Sequence, residues 1–158
     1  MYKTPIAAAA AIAVAATTLA GLAPADGAAT QQQIAFSYGN GNPSKMTLTP
    51  LTAGSILADH GSTSWCCWTQ KTVQQDGEQL DVDNPLATFV GKRGSLVWRE
   101  QITWVSLANG YSIATGTWRI VRGRGAYQNL TGHGHVAFIS NANNTVLSYR
   151  AVGLVDHG

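Results

Sequence analysis

Charged side chains are scarce in this sequence. Ten Lys and Arg and eight Asp and Glu occur among 158 residues, 11% of the chain. No run of Lys or Arg is present and the net charge is only +2, so the electrostatic footprint of a nucleic-acid binder is missing. Cysteine is rarer still. The only two are Cys66 and Cys67, and adjacent cysteines close no long loop within one chain, so disulfides do not hold this fold together. There is no Gly-x-Ser-x-Gly, no His-Glu-x-x-His, no phosphate loop and no dinucleotide fingerprint, which argues against a mainstream hydrolase or a nucleotide enzyme. No cofactor is implied. Sustained 3.6-residue periodicity is also absent after the first 25 residues, so no helix is expected there.

What is present begins with an export signal. Lys3 precedes an apolar, Ala-dominated run from Ile6 to Ala23, and Ala23-Pro24-Ala25 is a small-x-small cleavage site. Residues 1–25 read as a secretory signal peptide, with a second cleavage choice after Ala29. The run is short and weakly apolar for a membrane span. The expectation is therefore a secreted protein with no stable membrane anchor after cleavage. Residues 26–33 read as a flexible mature N-terminus and 34–158 as a single domain. About 130 residues are enough to bury a core without staples.

Polar stretches with Gly, Asn or Pro punctuate that domain, and between them lie β-prone segments. The spacing predicts strands over 34–38, 46–57, 63–74, 86–91, 95–107, 111–121, 132–140 and 145–155. Asn109-Gly110 predicts a hairpin, since both residues accept the positive φ of a type I′ turn. The fold class is all-β, a closed antiparallel barrel of about eight strands, with a β-sandwich as the alternative.

Residues 116–134, GTWRIVRGRGAYQNLTGHG, resemble the glycine-rich segment of the dirigent and allene oxide cyclase barrel superfamily, especially its small secreted bacterial members. Gly123, Gly125, Tyr127, Gly132 and Gly134 fall on its strand, turn, aromatic and strand pattern. The likeness extends over roughly 86–155. Arg124 and Asn129 depart from it, the latter mildly because Asn tolerates the left-handed conformation. The resemblance implies an eight-stranded barrel with a mostly apolar cavity, of the kind that steers cyclisation or radical coupling in plant relatives. It transfers no catalytic residue to this chain.

The residues themselves offer a few candidates. Leu96, Trp98, Glu100, Ile102 and Trp104 alternate along one strand. If that file faces inward, Glu100 is a carboxylate in an apolar wall, suited to general acid or base work. Trp98 and Trp104 would then be ligand contacts. Arg150, in a file with Val146, Val152 and Leu154, is a candidate ligand contact or a structural partner neutralising Glu100. His133 and His135 share a strand face, but with no third ligand in evident spacing they read as surface histidines, and no metal is expected. Trp65-Cys66-Cys67-Trp68 allows a vicinal disulfide, an intermolecular disulfide or two buried thiols. The flanking tryptophans favour buried thiols with a structural role. The expected function is binding of a hydrophobic small molecule inside the barrel, with cyclase or isomerase activity and oligomeric state left open. A non-enzymatic extracellular or cell-envelope interaction protein, working through the outer face of a filled barrel, is the alternative.

Overall fold

The computed structural model describes residues 31–158 apart from 40–44, 76, 108 and 144. The expected signal peptide, its two expected cleavage sites and most of the expected flexible N-terminus lie outside the described residues. Ten strands form one antiparallel sheet: β1 Gln32–Gly39, β2 Lys45–Pro50, β3 Asp59–Cys66, β4 Gln70–Gln75, β5 Glu78–Asp83, β6 Leu86–Gly91, β7 Gly94–Ser106, β8 Ser112–Gly125, β9 Leu130–Ser140 and β10 Val146–His157. Eight of them close a barrel in the order β7-β6-β3-β2-β1-β10-β9-β8, with β8 returning to β7. The β4–β5 hairpin stands outside it.

The departures from the expected strands have local causes. Gln32 and Gln33 belong to β1 rather than to a flexible lead. Gln32 is buried, and its amide donates to the carbonyls of Thr52 and Ile56 at 3.1 and 2.8 Å and accepts from the Ile56 N–H at 2.8 Å. That side chain ties the 51–58 segment, expected to continue β2, across one end of the barrel. The expected strand 63–74 is broken between β3 and β4 at the two cysteines. β5 was not anticipated, because Glu78–Asp83 is mostly polar. The hairpin at Asn109-Gly110 is present, but its loop is longer than a two-residue turn, and only Gly110 takes a positive φ, 79°.

β7 organises the barrel. One edge pairs with β8 along the whole strand. The other edge is shared, Ser95–Arg99 with β6 and Ile102–Trp104 with β5. Alternation then sends Leu96, Trp98, Glu100 and Ile102 into the interior, all buried, with Trp104 above them.

The interior is filled from the lower end. There Asp59 accepts hydrogen bonds from the Tyr127 hydroxyl at 2.7 Å and from the backbone N–H groups of His60, Lys92 and Arg93 at 2.8, 3.1 and 3.0 Å. Burial raises the Asp59 pKa, but the Tyr127 hydroxyl and the three N–H donors outweigh it and hold the carboxyl below its ordinary value of 3.8. Asp59 falls in the gap between the expected strands 46–57 and 63–74. It opens β3 instead, because its carboxylate satisfies backbone donors that the β6–β7 turn leaves free. Above this plug Phe36 stacks on Trp98 at 4.8 Å and meets Phe89 and Trp118 edge-on at 5.9 and 6.1 Å.

The glycine-rich segment has a steric explanation. Gly125 takes φ 65° and Asn129 φ 61° in the β8–β9 turn that delivers Tyr127 to Asp59. Gly134 and Gly153 lie opposite each other on β9 and β10, and the Trp118 ring lies against them. A Cβ on Gly153 would come within 2.5 Å of Trp118 Cζ2 and 2.1 Å of the His133 carbonyl oxygen. Because backbone as well as ring must shift, Gly153→Ala is expected to destabilise the protein by about 1–3 kcal/mol, read as a lower urea midpoint at unchanged slope.

Candidate functional site

The upper end of the barrel is open. A cavity of about 890 Å³ occupies it, walled by the upper turns of the barrel strands and by the β4–β5 hairpin. Its floor holds Glu100, whose exposure is 1%. One carboxyl oxygen, Oε1, accepts from the Trp98 indole N–H at 2.8 Å and from the Tyr149 hydroxyl at 2.5 Å. Tyr149 stacks on Tyr38 at 5.1 Å, and both rings meet Trp65 edge-on at 5.8 and 5.7 Å. Phe138 stacks beside Tyr149 at 6.0 Å and meets Trp104 edge-on at 4.8 Å, continuing the aromatic wall.

These neighbours set the acid-base character of the site. Burial pushes the Glu100 carboxyl above its ordinary value of 4.5, and the hydrogen bonds from Tyr149 and Trp98, with a smaller contribution from the Trp65 indole, only partly offset it. Tyr149 is held well above its ordinary value of 10.0, first by burial and then by the adjacent carboxylate. Tyr38 moves the same way for the same reasons. Both phenols therefore keep their protons, and Glu100 is the group placed to exchange one.

The expected site residues divide in space. Glu100 and Trp104 line the cavity, and Trp104 donates to Asp83 Oδ2 at 2.8 Å. Trp98 lies beneath the floor, fully buried, and reaches the cavity only through its hydrogen bond to Glu100. Arg150 is not with them. It is exposed on the outer face of β10, opposite Ala137 and Ser37, and neither touches Glu100 nor lines the cavity. The cause is a bulge between Val146 and Ser148. It turns the file over, so that Val146 points inward, Arg150 points outward and Tyr149 takes the inward place. The partner of Glu100 is thus a phenol one residue from the arginine expected there.

His133 and His135 face outward on β9, beside Arg119 and Thr117 of β8. Among the described residues no group of three potential metal ligands converges. With Arg99 and Arg119, the two histidines line a shallow outer groove.

The cysteines differ from the expected buried thiols. Cys66 and Cys67 are joined as a vicinal disulfide, and both are exposed. Cys67 takes φ 59°, which ends β3 and swings Trp68 to the cavity rim while Trp65 remains inside. In denaturant without reductant, no thiol should react with a maleimide probe; both cysteines should label after reduction. Labelling before reduction would reject the bond.

Sequence reasoning missed five contributors. Tyr38 and Tyr149 carry alternation signals in β1 and β10, but the bulge conceals the second. Asp81 and Asp83 come from the unanticipated β5, and Ser140, buried with an unpartnered Oγ at the cavity wall, has no sequence signal at all. Comparison with known proteins adds no relative: no family model matches the chain, and no curated protein or solved structure is significantly similar to it.

Proposed function

We propose that this is a secreted barrel protein that takes a small, largely hydrophobic organic molecule into the upper cavity, where Glu100 exchanges a proton with it, as a cyclisation or isomerisation would require. One observation carries the reading: a carboxyl with a raised pKa lies at the floor of an open, aromatic-walled cavity. Cavities of this size and lining suit a small ligand. With Oε1 engaged by two donors, Oε2 is the atom left to hold or release a proton, in a site walled by aromatic rings. The likeness of residues 116–134 to the dirigent and allene oxide cyclase superfamily supports the same reading. The alternative role for a filled barrel has less support, because only the lower half is filled.

A neutral solvatochromic dye such as Nile red tests the cavity. Its fluorescence should rise and shift to the blue with the mature protein, and Ser112→Trp, which narrows the cavity mouth, should weaken binding at least about tenfold. Arg150→Ala, on the outer face, should leave it unchanged. Equal binding by the Ser112→Trp variant would place the dye elsewhere and reject the reading.

A further inference from the structure

The ionisable side chains around the cavity that carry a charge or could gain one are all carboxylic acids. Asp81, Asp83 and Glu100 line it, and none of the lysines, arginines or histidines of the described residues does. The donors that reach these carboxylates are neutral: Thr72 Oγ1 to Asp81 at 3.0 Å, Trp104 to Asp83 at 2.8 Å, and Trp98 and Tyr149 to Glu100. Four of the basic side chains, Arg99, Arg119, His133 and His135, line the outer groove instead. Exposed Asp81 and half-buried Asp83 place two carboxylates on one side of this concave site and give it a negative potential.

The remaining lining answers to the same sign. Trp65, Trp68, Trp104, Tyr38, Phe138 and Tyr149 present ring faces or edges to the cavity, and the negative face of an aromatic ring attracts a cation. Ser140 adds an independent feature. It is 1% exposed, it lines the cavity, and its Oγ has no partner. A buried hydroxyl in this state can accept a hydrogen bond from an entering N–H group. A fatty carboxylate or a phosphate would meet three acids and no base.

We infer that the ligand of this cavity is a protonated amine carried on an apolar body, held by Asp81 and Asp83, the aromatic walls and the Ser140 hydroxyl. The inference rests on the reading of the cavity as a ligand site and names the chemical class it takes.

Three probes of nearly the same shape test it: 2-phenylethylammonium, neutral n-propylbenzene and anionic 3-phenylpropionate. Each is titrated at neutral pH and low salt against the mature protein, with tryptophan fluorescence and displacement of Nile red as readouts. The ammonium should bind at least about tenfold more tightly than either other probe, and added salt should weaken it. The double variant Asp81→Asn, Asp83→Asn should lose about tenfold in ammonium affinity, and Ser140→Ala a few-fold, while propylbenzene binding and the unfolding midpoint stay the same. Equal or tighter binding of propylbenzene or phenylpropionate overturns the inference and leaves the cavity reading intact. So does failure of the ammonium to bind while Nile red still binds. Failure of Nile red as well removes both.

Discussion

Glu100→Gln is expected to remove a pH-dependent loss of stability and to abolish any proton transfer the cavity performs. Burial holds the Glu100 carboxyl above 4.5 in the folded protein. Between that value and the higher folded one, the folded state keeps a proton that the unfolded state releases. Stability contributed by the neutral acid is thus fully present below about pH 4.5 and is lost as pH rises through the folded pKa, at up to about 1.4 kcal/mol per pH unit. Glutamine is close in shape to the neutral acid, and its carbonyl can still accept from Trp98 and Tyr149, but it does not titrate. Urea unfolding of both proteins from pH 4 to 8 should therefore give curves that converge at the acid end and separate upward, with the variant the more stable. Parallel curves would mean that Glu100 ionises as an ordinary surface carboxylate and would take away its acid-base role. For a proton-transfer reaction, the same substitution should lower the rate by roughly 10²–10⁴.

The largest loss of stability is expected at the other end of the barrel. Asp59→Ala leaves the Tyr127 hydroxyl and the N–H groups of His60, Lys92 and Arg93 without their acceptor. Hydrogen bonds to a charged acceptor each contribute about 1.5–3 kcal/mol, and buried donors left unpaired carry a desolvation penalty. Water can reach part of this turn, so the expected sum is about 3 kcal/mol or more rather than the full total. Tyr127→Phe removes one of the four bonds and should cost about half as much or less. The pair should be strongly non-additive in a double-mutant cycle. The pH dependence has the opposite sign to that of Glu100. The Asp59 pKa is depressed below 3.8, so its contribution is present above that value and is lost as pH falls through the folded pKa. Wild-type protein should lose stability in acid along a limb that Asp59→Ala lacks.

Much of the architecture was legible because its cause is local. The alternation of Leu96, Trp98, Glu100, Ile102 and Trp104 put a carboxyl in one file with apolar residues, because a regular strand carries such a file without interruption, but it did not say whether the file faced inward. Asn129 in the left-handed region and the hairpin at Asn109-Gly110 were readable for the same reason. What escaped depended on irregularity or on distance. A single bulge exchanged Arg150 for Tyr149 beside Glu100, and a bulge leaves no mark in a Val-Leu-Ser-Tyr-Arg run. Gln32 looked like part of a polar leader because its partners, Thr52 and Ile56, are some twenty residues away. The cysteines were read from their tryptophan neighbours, yet Trp65 and Trp68 point to different surroundings once Cys67 has turned the chain.

The pairing of β1 with β10 over the full length of β1 bears on the order in which this chain can fold. β10 closes the barrel between β1 and β9, so vectorial synthesis delivers this stave only after all the others described. Until Val146–His157 emerges, β1 and β9 each present a raw hydrogen-bonding edge, and the aromatic interior stands open to solvent. Truncation within Val146–His157 would remove a central stave rather than trim a margin. The partly made chain is thus the form of this protein most in need of a holding chaperone, and the completed one has the least to gain from it.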